Sequence, residues 1–218
     1  MNRDYQGVFF DLDGTLADTA PDLVAAINAV RIERGLAPLP YEQLRPLASA
    51  GARGLIGGAF NYGPDHPEFE ELRSQFLGFY EQALCVNTRL FEGMPEVLEA
   101  LETQELAWGI VTNKAARLTD PLVQALGLNE RSAATVSGDT TPHAKPHPAP
   151  ILQAAQWAKV SAQHCIYVGD DLRDIQAGQA AGMITVAAAY GYCGCEEPID
   201  TWGADHIIHS PLELLKLL

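Results

Sequence analysis

A chain of 218 residues is long enough for one sizeable hydrophobic core, or for a core carrying a small inserted domain. Its 47% hydrophobic and 19% charged residues are the composition of an ordinary soluble globular protein. A formal net charge of −14 argues against a nucleic-acid partner or an anionic membrane surface, since both need a basic patch, yet it leaves room for a small anionic ligand met by a local cation or a metal.

The first seven residues, Met1 to Gly7, lack the apolar centre of a signal peptide, and no window approaches the apolar length of a membrane span. The cysteines Cys85, Cys165, Cys193 and Cys195 are few for a disulfide scaffold and match no common zinc spacing. Cys193-Gly194-Cys195 is expected to be a loop with two free thiols rather than a redox pair. The expectation is a reduced, cytoplasmic, enzyme-sized protein, monomer or homodimer.

The first element is the apolar run Val8-Phe9-Phe10, a strand that ends in Asp11-Leu12-Asp13-Gly14-Thr15. Residues two apart point to one side of a strand, so Asp11 and Asp13 can face one site. Two anions held that close call for a cation between them or a retained proton, and a divalent metal with hard oxygen ligands is the natural solution. Gly14 allows a sharp turn and close approach to a ligand. Helical spacing then runs from the start signals Asp18, Thr19 and Pro21 to a stop at Gly35. It recurs over Leu55 to Phe60 and Phe69 to Leu84 with no strand alternation, predicting an all-helical insertion at about 17–87.

From Phe91 onward strands and helices alternate. The predicted strands are 107–111, 134–136, 165–168, 183–188 and 206–208. Helices are predicted after Gly93, over 118–126 and 151–157, from about 170 to Gly182, and over 211–218. Trp108 and Trp157 are expected in the core. Alternating β and α elements imply a Rossmann-like parallel sheet with helices on both faces, formed by 1–16 and 88–218 and interrupted by the helical segment 17–87. In such sheets ligands bind beyond the C-terminal strand ends. Those ends carry Asp11, Asp13 and Thr15; then Thr112, Asn113 and Lys114; then Ser137-Gly138-Asp139 with Lys145-Pro146; then Gly169-Asp170-Asp171 with Asp174. Acids, hydroxyls and a lysine gather on one edge.

Asp-Leu-Asp-Gly-Thr, Val-Thr-Asn, Lys-Pro and Val-Gly-Asp-Asp-Leu-Arg-Asp, in that order at strand ends, resemble the haloacid dehalogenase superfamily, and the insertion after the first motif resembles its mobile helical cap. The resemblance implies an Mg²⁺-dependent phosphomonoester hydrolase acting on a small phosphorylated metabolite. It makes Asp11 the nucleophile that forms an aspartyl-phosphate, and Asp13 the general acid and then base. It makes the Asp11 carboxylate, the Asp13 backbone carbonyl and Asp170 the metal site, and it places Thr112, with Asn113 nearby, and Lys145 on the phosphate. Asp171 or Asp174 is expected behind these, orienting Lys145 or a metal-bound water. The Asp11/Asp13 pair favours phosphate chemistry over dehalogenation, since the dehalogenating members lack a second aspartate and magnesium.

Asp18 and Asp139 are expected as turn or cap residues, and His143 and His147 as loop residues. On the cap, Ser49-Ala50-Gly51-Ala52-Arg53-Gly54 is a glycine-rich turn entering a helix, where Arg53 either offers a fork-shaped donor to a substrate carboxylate or is solvated. Among branches of the family the chain looks like the phosphoglycolate phosphatase group and its relative acting on N-acetylmuramic acid 6-phosphate. A sugar-phosphate mutase on the same fold and a non-enzymatic phosphometabolite-binding regulator are the alternatives.

Overall fold

A computed structural model describes residues 5–194 and 197–218. Six parallel strands form one sheet: β1 (Gly7–Phe10), β4 (Ala107–Val111), β5 (Ala134–Val136), β6 (Cys165–Gly169), β7 (Ile184–Ala188) and β8 (His206–Ile208). Their spatial order is β5-β4-β1-β6-β7-β8. The chain therefore builds outward from β1 in one direction through β4 and β5, then crosses over and builds outward in the other. The strand ends beside β1 are where such a reversal opens a crevice.

Alternation along the strands divides the core into two layers. Val8 and Phe10 of β1 face a cluster with Met94, Val97, Leu98 and Leu101 of α5 (Met94–Thr103) and Leu122 and Val123 of α6 (Ala116–Ala125). Phe9 faces the opposite side, with Ile151 and Ala154 of α7 (Ala149–Trp157) and Ala177 of α8 (Leu172–Ala180). Trp108 is buried as expected, but Trp157 is 48% exposed. The inward stripe of α7 is Ile151, Ala154 and Ala155, and Trp157 falls on the other side of that helix. The expected C-terminal helix is a 3₁₀ segment, Pro211–Lys216.

Between β1 and the rest of the sheet the chain forms a separate helical layer. It comprises α1 (Ala20–Glu33), α2 (Tyr41–Leu44), a 3₁₀ turn at Arg45–Ala50, α3 (Gly51–Phe60) and α4 (Phe69–Gln82). Ile27, Val30, Leu55, Ile56, Leu72, Phe76 and Tyr80 give it a hydrophobic cluster of its own, which Leu118 and Tyr192 of the sheet layer join. The two chain connections to this layer pair as a short antiparallel ribbon, β2 (Ala17–Asp18) with β3 (Arg89–Leu90), that sequence alternation did not reveal because each strand has only two residues. The buried Asp22 carboxylate clasps the returning connection, accepting from the backbone amides of Val86, Asn87 and Thr88 and from the Thr88 hydroxyl at 2.7–3.0 Å. Among the described residues no helix is long and apolar enough to cross a membrane.

Candidate active site

β1 stops at Phe10, one residue before Asp11, so a loop rather than strand alternation carries both acids to the sheet edge. The Asp11 amide still donates to the Val168 carbonyl of β6 at 2.9 Å, which fixes the nucleophile candidate to the sheet register. Its Oδ1 lies 2.7 Å from Lys145 Nζ, and Oδ2 has no hydrogen-bond partner among the described residues. Lys145 is buried, and its ammonium also reaches Asp174 Oδ1 at 2.7 Å, the Val111 carbonyl at 2.8 Å and the Tyr167 hydroxyl at 2.9 Å. A buried ammonium needs such partners, because desolvation without them is costly. The loop bearing Lys145 is itself held by Asn113, whose side-chain amide donates to the Lys145 carbonyl and accepts from its N–H, both at 2.9 Å. Asn113 thus works on the backbone of Lys145, a role its position after β4 does not disclose.

Asp170, fully buried at the end of β6, sits where the backbone comes close on two sides. A Cβ on Gly14 (φ +85°) would collide with its carboxylate, and one on Gly191 would collide with its side chain. Oδ1 accepts from the Thr15 hydroxyl at 3.0 Å, and Oδ2 from the Tyr192 amide at 2.8 Å and the Ser49 hydroxyl at 3.2 Å. Burial pushes the Asp170 carboxyl up to about 7, with the Asp174 charge adding to it and the Tyr192 and Thr15 hydrogen bonds opposing. Asp11 is likewise raised, first by desolvation, with Lys145 pulling it down and Asp174, Asp170 and Asp13 pushing it up.

One oxygen each of Asp11, Asp170 and Asp174 lies within 4.8 Å of the others. Three clustered acids, two of them sharing the Lys145 ammonium, leave excess negative charge, and their donors are hard oxygens. That set fits a small divalent cation. Asp174 is the least available of the three, since Lys145 takes its Oδ1 and the Asp171 amide donates to its Oδ2 at 3.2 Å. Asp171 in turn is the N-cap of α8, accepting from the Arg173 amide at 2.9 Å, with Asp174 closing the reciprocal capping box. Both also line the cavity, with Asp174 held between the Lys145 ammonium and the start of α8.

The Asp13 side chain turns away from these acids. Its Oδ1 accepts from the Thr19 hydroxyl at 2.6 Å and lies 2.9 Å from Lys114 Nζ. Thr112 is buried with its Oγ accepting from the Lys114 amide at 3.1 Å, which leaves the hydroxyl proton available. A cavity of about 370 Å³ between the sheet edge and the helical layer is lined by Asp11, Asp13, Thr112, Asn113 and Lys145, with Ser49, Gly51 and Tyr80 from the helical side. That volume is at the small end for metabolite sites.

Arg53 is not part of this cavity. It lies exposed on α3, making no hydrogen bond or ion pair with a described residue, although its neighbours Gly51 and Ala52 do line the wall. The arginines on the wall are Arg73, Arg117 and Arg173. Arg173 grips Asp171 with two bonds, at 2.7 and 2.8 Å, and donates to the Ser49 carbonyl at 2.9 Å, joining sheet to helical layer. Asp139 Oδ1 caps α6 from a separate loop, accepting from the Ala116 amide at 2.8 Å, and Asp18 Oδ1 accepts from the Tyr192 hydroxyl at 2.9 Å. His143 and His147 pack against each other in their loop, ring centroids 4.4 Å apart and planes tilted by 35°. Cys195 lies outside the described residues, so the Cys193–Cys195 pair has no structural description.

Tyr80 and Tyr192 join the network around the site with no sequence signal of their own, and Lys114 and Thr19, visible only as a strand-end lysine and a helix start, carry no sign of their partners. Their contacts cross the chain: Tyr80 and Lys114 are 34 residues apart, Thr19 and Tyr192 173.

The family model described as haloacid dehalogenase-like hydrolase matches residues 8–188. The chain is 42% identical over 213 residues to an N-acetylmuramic acid 6-phosphate phosphatase of Pseudomonas aeruginosa, covering 98% of this chain and 94% of that one. It is 44% identical over 210 residues to a phosphoglycolate phosphatase of Xanthomonas campestris, with 96% and 94% covered. The crystal structure of a predicted phosphoglycolate phosphatase from Haemophilus somnus superposes with a TM-score of 0.86 at 29% identity, covering 100% and 99% of the two chains. The chain belongs to the haloacid dehalogenase-like hydrolase family, on its phosphatase side.

Proposed function

We propose that this phosphatase cleaves a small carboxylated or sugar phosphate, 2-phosphoglycolate or N-acetylmuramic acid 6-phosphate, through a phosphorylated Asp11. The observation that carries this reading is the convergence of Asp11, Asp13, Thr112 and Lys145 from three separated segments at one cavity, with an Asp170 carboxylate oxygen within 4.8 Å of one of Asp11's. A turn or a cap has no use for such a set.

The free oxygen of Asp11 attacks phosphorus, and the bond from phosphorus to the substrate oxygen breaks. Asp13 gives its proton to that departing oxygen. Water then attacks the phosphorus of the aspartyl-phosphate, Asp13 takes the water proton, and Asp11 is released with inorganic phosphate. Thr112 donates its hydroxyl proton to a phosphoryl oxygen, and Lys145 keeps a fixed positive charge beside the bond being made. Asp11 and Asp170, with the Asp13 carbonyl, would hold Mg²⁺. When bound, the ion neutralises charge on the phosphoryl group and lets an anionic carboxylate approach it. The layer 17–87 acts as a cap that closes over the cavity and excludes water, and its inner wall selects the substrate. The enzyme acts in the cytoplasm.

Phosphate release measured with and without Mg²⁺ across 2-phosphoglycolate, N-acetylmuramic acid 6-phosphate, common sugar phosphates and a nucleotide monophosphate tests the reading. Strong preference for one carboxylated phosphate, lost on chelation, is the expected result. Isomerised sugar phosphate with little free phosphate would replace the hydrolase by a mutase, and no turnover at all would leave only a binding protein.

A further inference from the structure

Lys114 belongs to no role assigned so far, yet its side chain is only 8% exposed. Its ammonium lies 2.9 Å from Asp13 Oδ1, donates to the Tyr80 hydroxyl at 3.0 Å, and stands 4.5 Å from the centre of the Tyr80 ring. Asp13 and Lys114 belong to the sheet layer, whereas Tyr80 belongs to α4 of the helical layer. The same Asp13 oxygen accepts from Thr19, the residue just before α1, at 2.6 Å. One Asp13 oxygen is therefore held from two directions. The other, Oδ2, has no hydrogen-bond partner among the described residues, and Asp13 lines the cavity.

We propose that Lys114 is a positioning residue for the proton-transferring Asp13, and that Tyr80 completes its placement only when α4 lies over the site. The lysine holds Oδ1 so that Oδ2 is presented to the oxygen leaving phosphorus, and the phenol holds the lysine. Proton donation is then matched to a covered cavity, and an uncovered one has a poorly aimed acid. This inference rests on the acid/base reading of Asp13 given above. The competing role, direct contact of Lys114 with the substrate's anionic groups, makes a different kinetic prediction.

The test compares an alkyl phosphate that the enzyme turns over with p-nitrophenyl phosphate, whose leaving group departs without a proton. The quantity read is kcat/KM, which ends at phosphoryl transfer to the enzyme. Lys114→Met is expected to lower it on the order of 10²-fold for the alkyl substrate and by no more than a few-fold for the aryl one. Tyr80→Phe, which keeps the ring, is expected to lose roughly 3- to 10-fold with the same selectivity. It decides the matter alone if Lys114→Met does not fold. Equal losses on both substrates, a change confined to KM, or unchanged rates in both variants overturn the proposal. Asp13→Asn run alongside separates the failures. If it shows the alkyl selectivity and the Lys114 and Tyr80 variants do not, only the positioning role falls. If it shows none, the acid/base reading falls and takes the proposal with it.

Discussion

Replacing Lys145 with methionine removes a charge and keeps most of the side-chain volume. In the protein as it stands, that ammonium is 2.7 Å from both Asp11 and Asp174. At that distance each attraction is roughly 6 kcal/mol before desolvation, with an effective dielectric of about 20. Most of this only offsets the cost of burying the three charges, but removing the lysine leaves two carboxylates facing each other in a dry site. Breaking a buried pair in this way costs about 3–5 kcal/mol. The sign of the pH dependence follows. Asp11 and Asp174 are already raised by burial, and losing the cation raises them further. A carboxyl whose folded pKa lies above its unfolded value contributes stability at low pH that disappears as pH rises through the folded value. The variant's deficit should therefore grow from acid to neutral pH in chelator-treated protein. Urea melts at several pH values, with and without Mg²⁺, measure it, and turnover should fall on the order of 10²–10³-fold even where the variant is folded. A deficit that is absent, or that shrinks toward neutral pH, would refute the charge argument.

Three further outcomes follow from particular contacts. Tyr192→Phe removes a hydroxyl that accepts from the Thr19 and Ala20 amides at 2.7 and 2.8 Å and donates to Asp18, so about 1–3 kcal/mol of stability should be lost, visible as a fall in Tm of a few degrees; an unchanged melt would remove that hydroxyl as the tie between the β7 loop and α1. Asp22→Ala frees the 86–88 connection and should cost about 2–4 kcal/mol, with faster proteolysis between 83 and 90; resistance equal to the parent protein's would show that the clasp is not needed. Mg²⁺ should raise Tm more at pH 8 than at pH 5.5, because Asp170, pushed up to about 7, carries a proton in acid that the ion must displace. An equal rise at both pH values would argue that Asp170 is not among the ligands.

The centre of the sheet and the catalytic edge were legible because β1 and β6 are continuous buried runs each followed at once by an acid, Asp11 and Asp170. Helices with one apolar stripe are equally plain, α7 among them, although its stripe does not tell that Trp157 faces solvent. What escaped depends on contacts across the chain. Lys114 follows Thr112 and Asn113 as any solvated lysine might, and nothing local marks Tyr80 as its partner. The two-residue β2 and β3 are too short for alternation to register, and they exist because the helical layer must leave and rejoin the sheet at neighbouring points. Arg53 drew notice through its glycine-rich setting, but helix phase turns Gly51 and Ala52 to the cavity and the arginine to solvent. The motif leaves open whether Asp171 or Asp174 stands behind the site, and it is Asp174 whose carboxylate lies 2.7 Å from the Lys145 ammonium.

The central claim is that Asp11 carries the phosphoryl group and Asp13 moves the protons. Asp13→Asn enzyme mixed with excess p-nitrophenyl phosphate and Mg²⁺, followed through its first turnover and then quenched in acid for peptide mass spectrometry, addresses both. Because the aryl leaving group needs no acid while hydrolysis of the aspartyl-phosphate needs the base, the account predicts a burst of nearly one nitrophenol per enzyme and phosphate on the peptide containing Asp11. Steady release without a burst, or a phosphate found on any other residue, would contradict it.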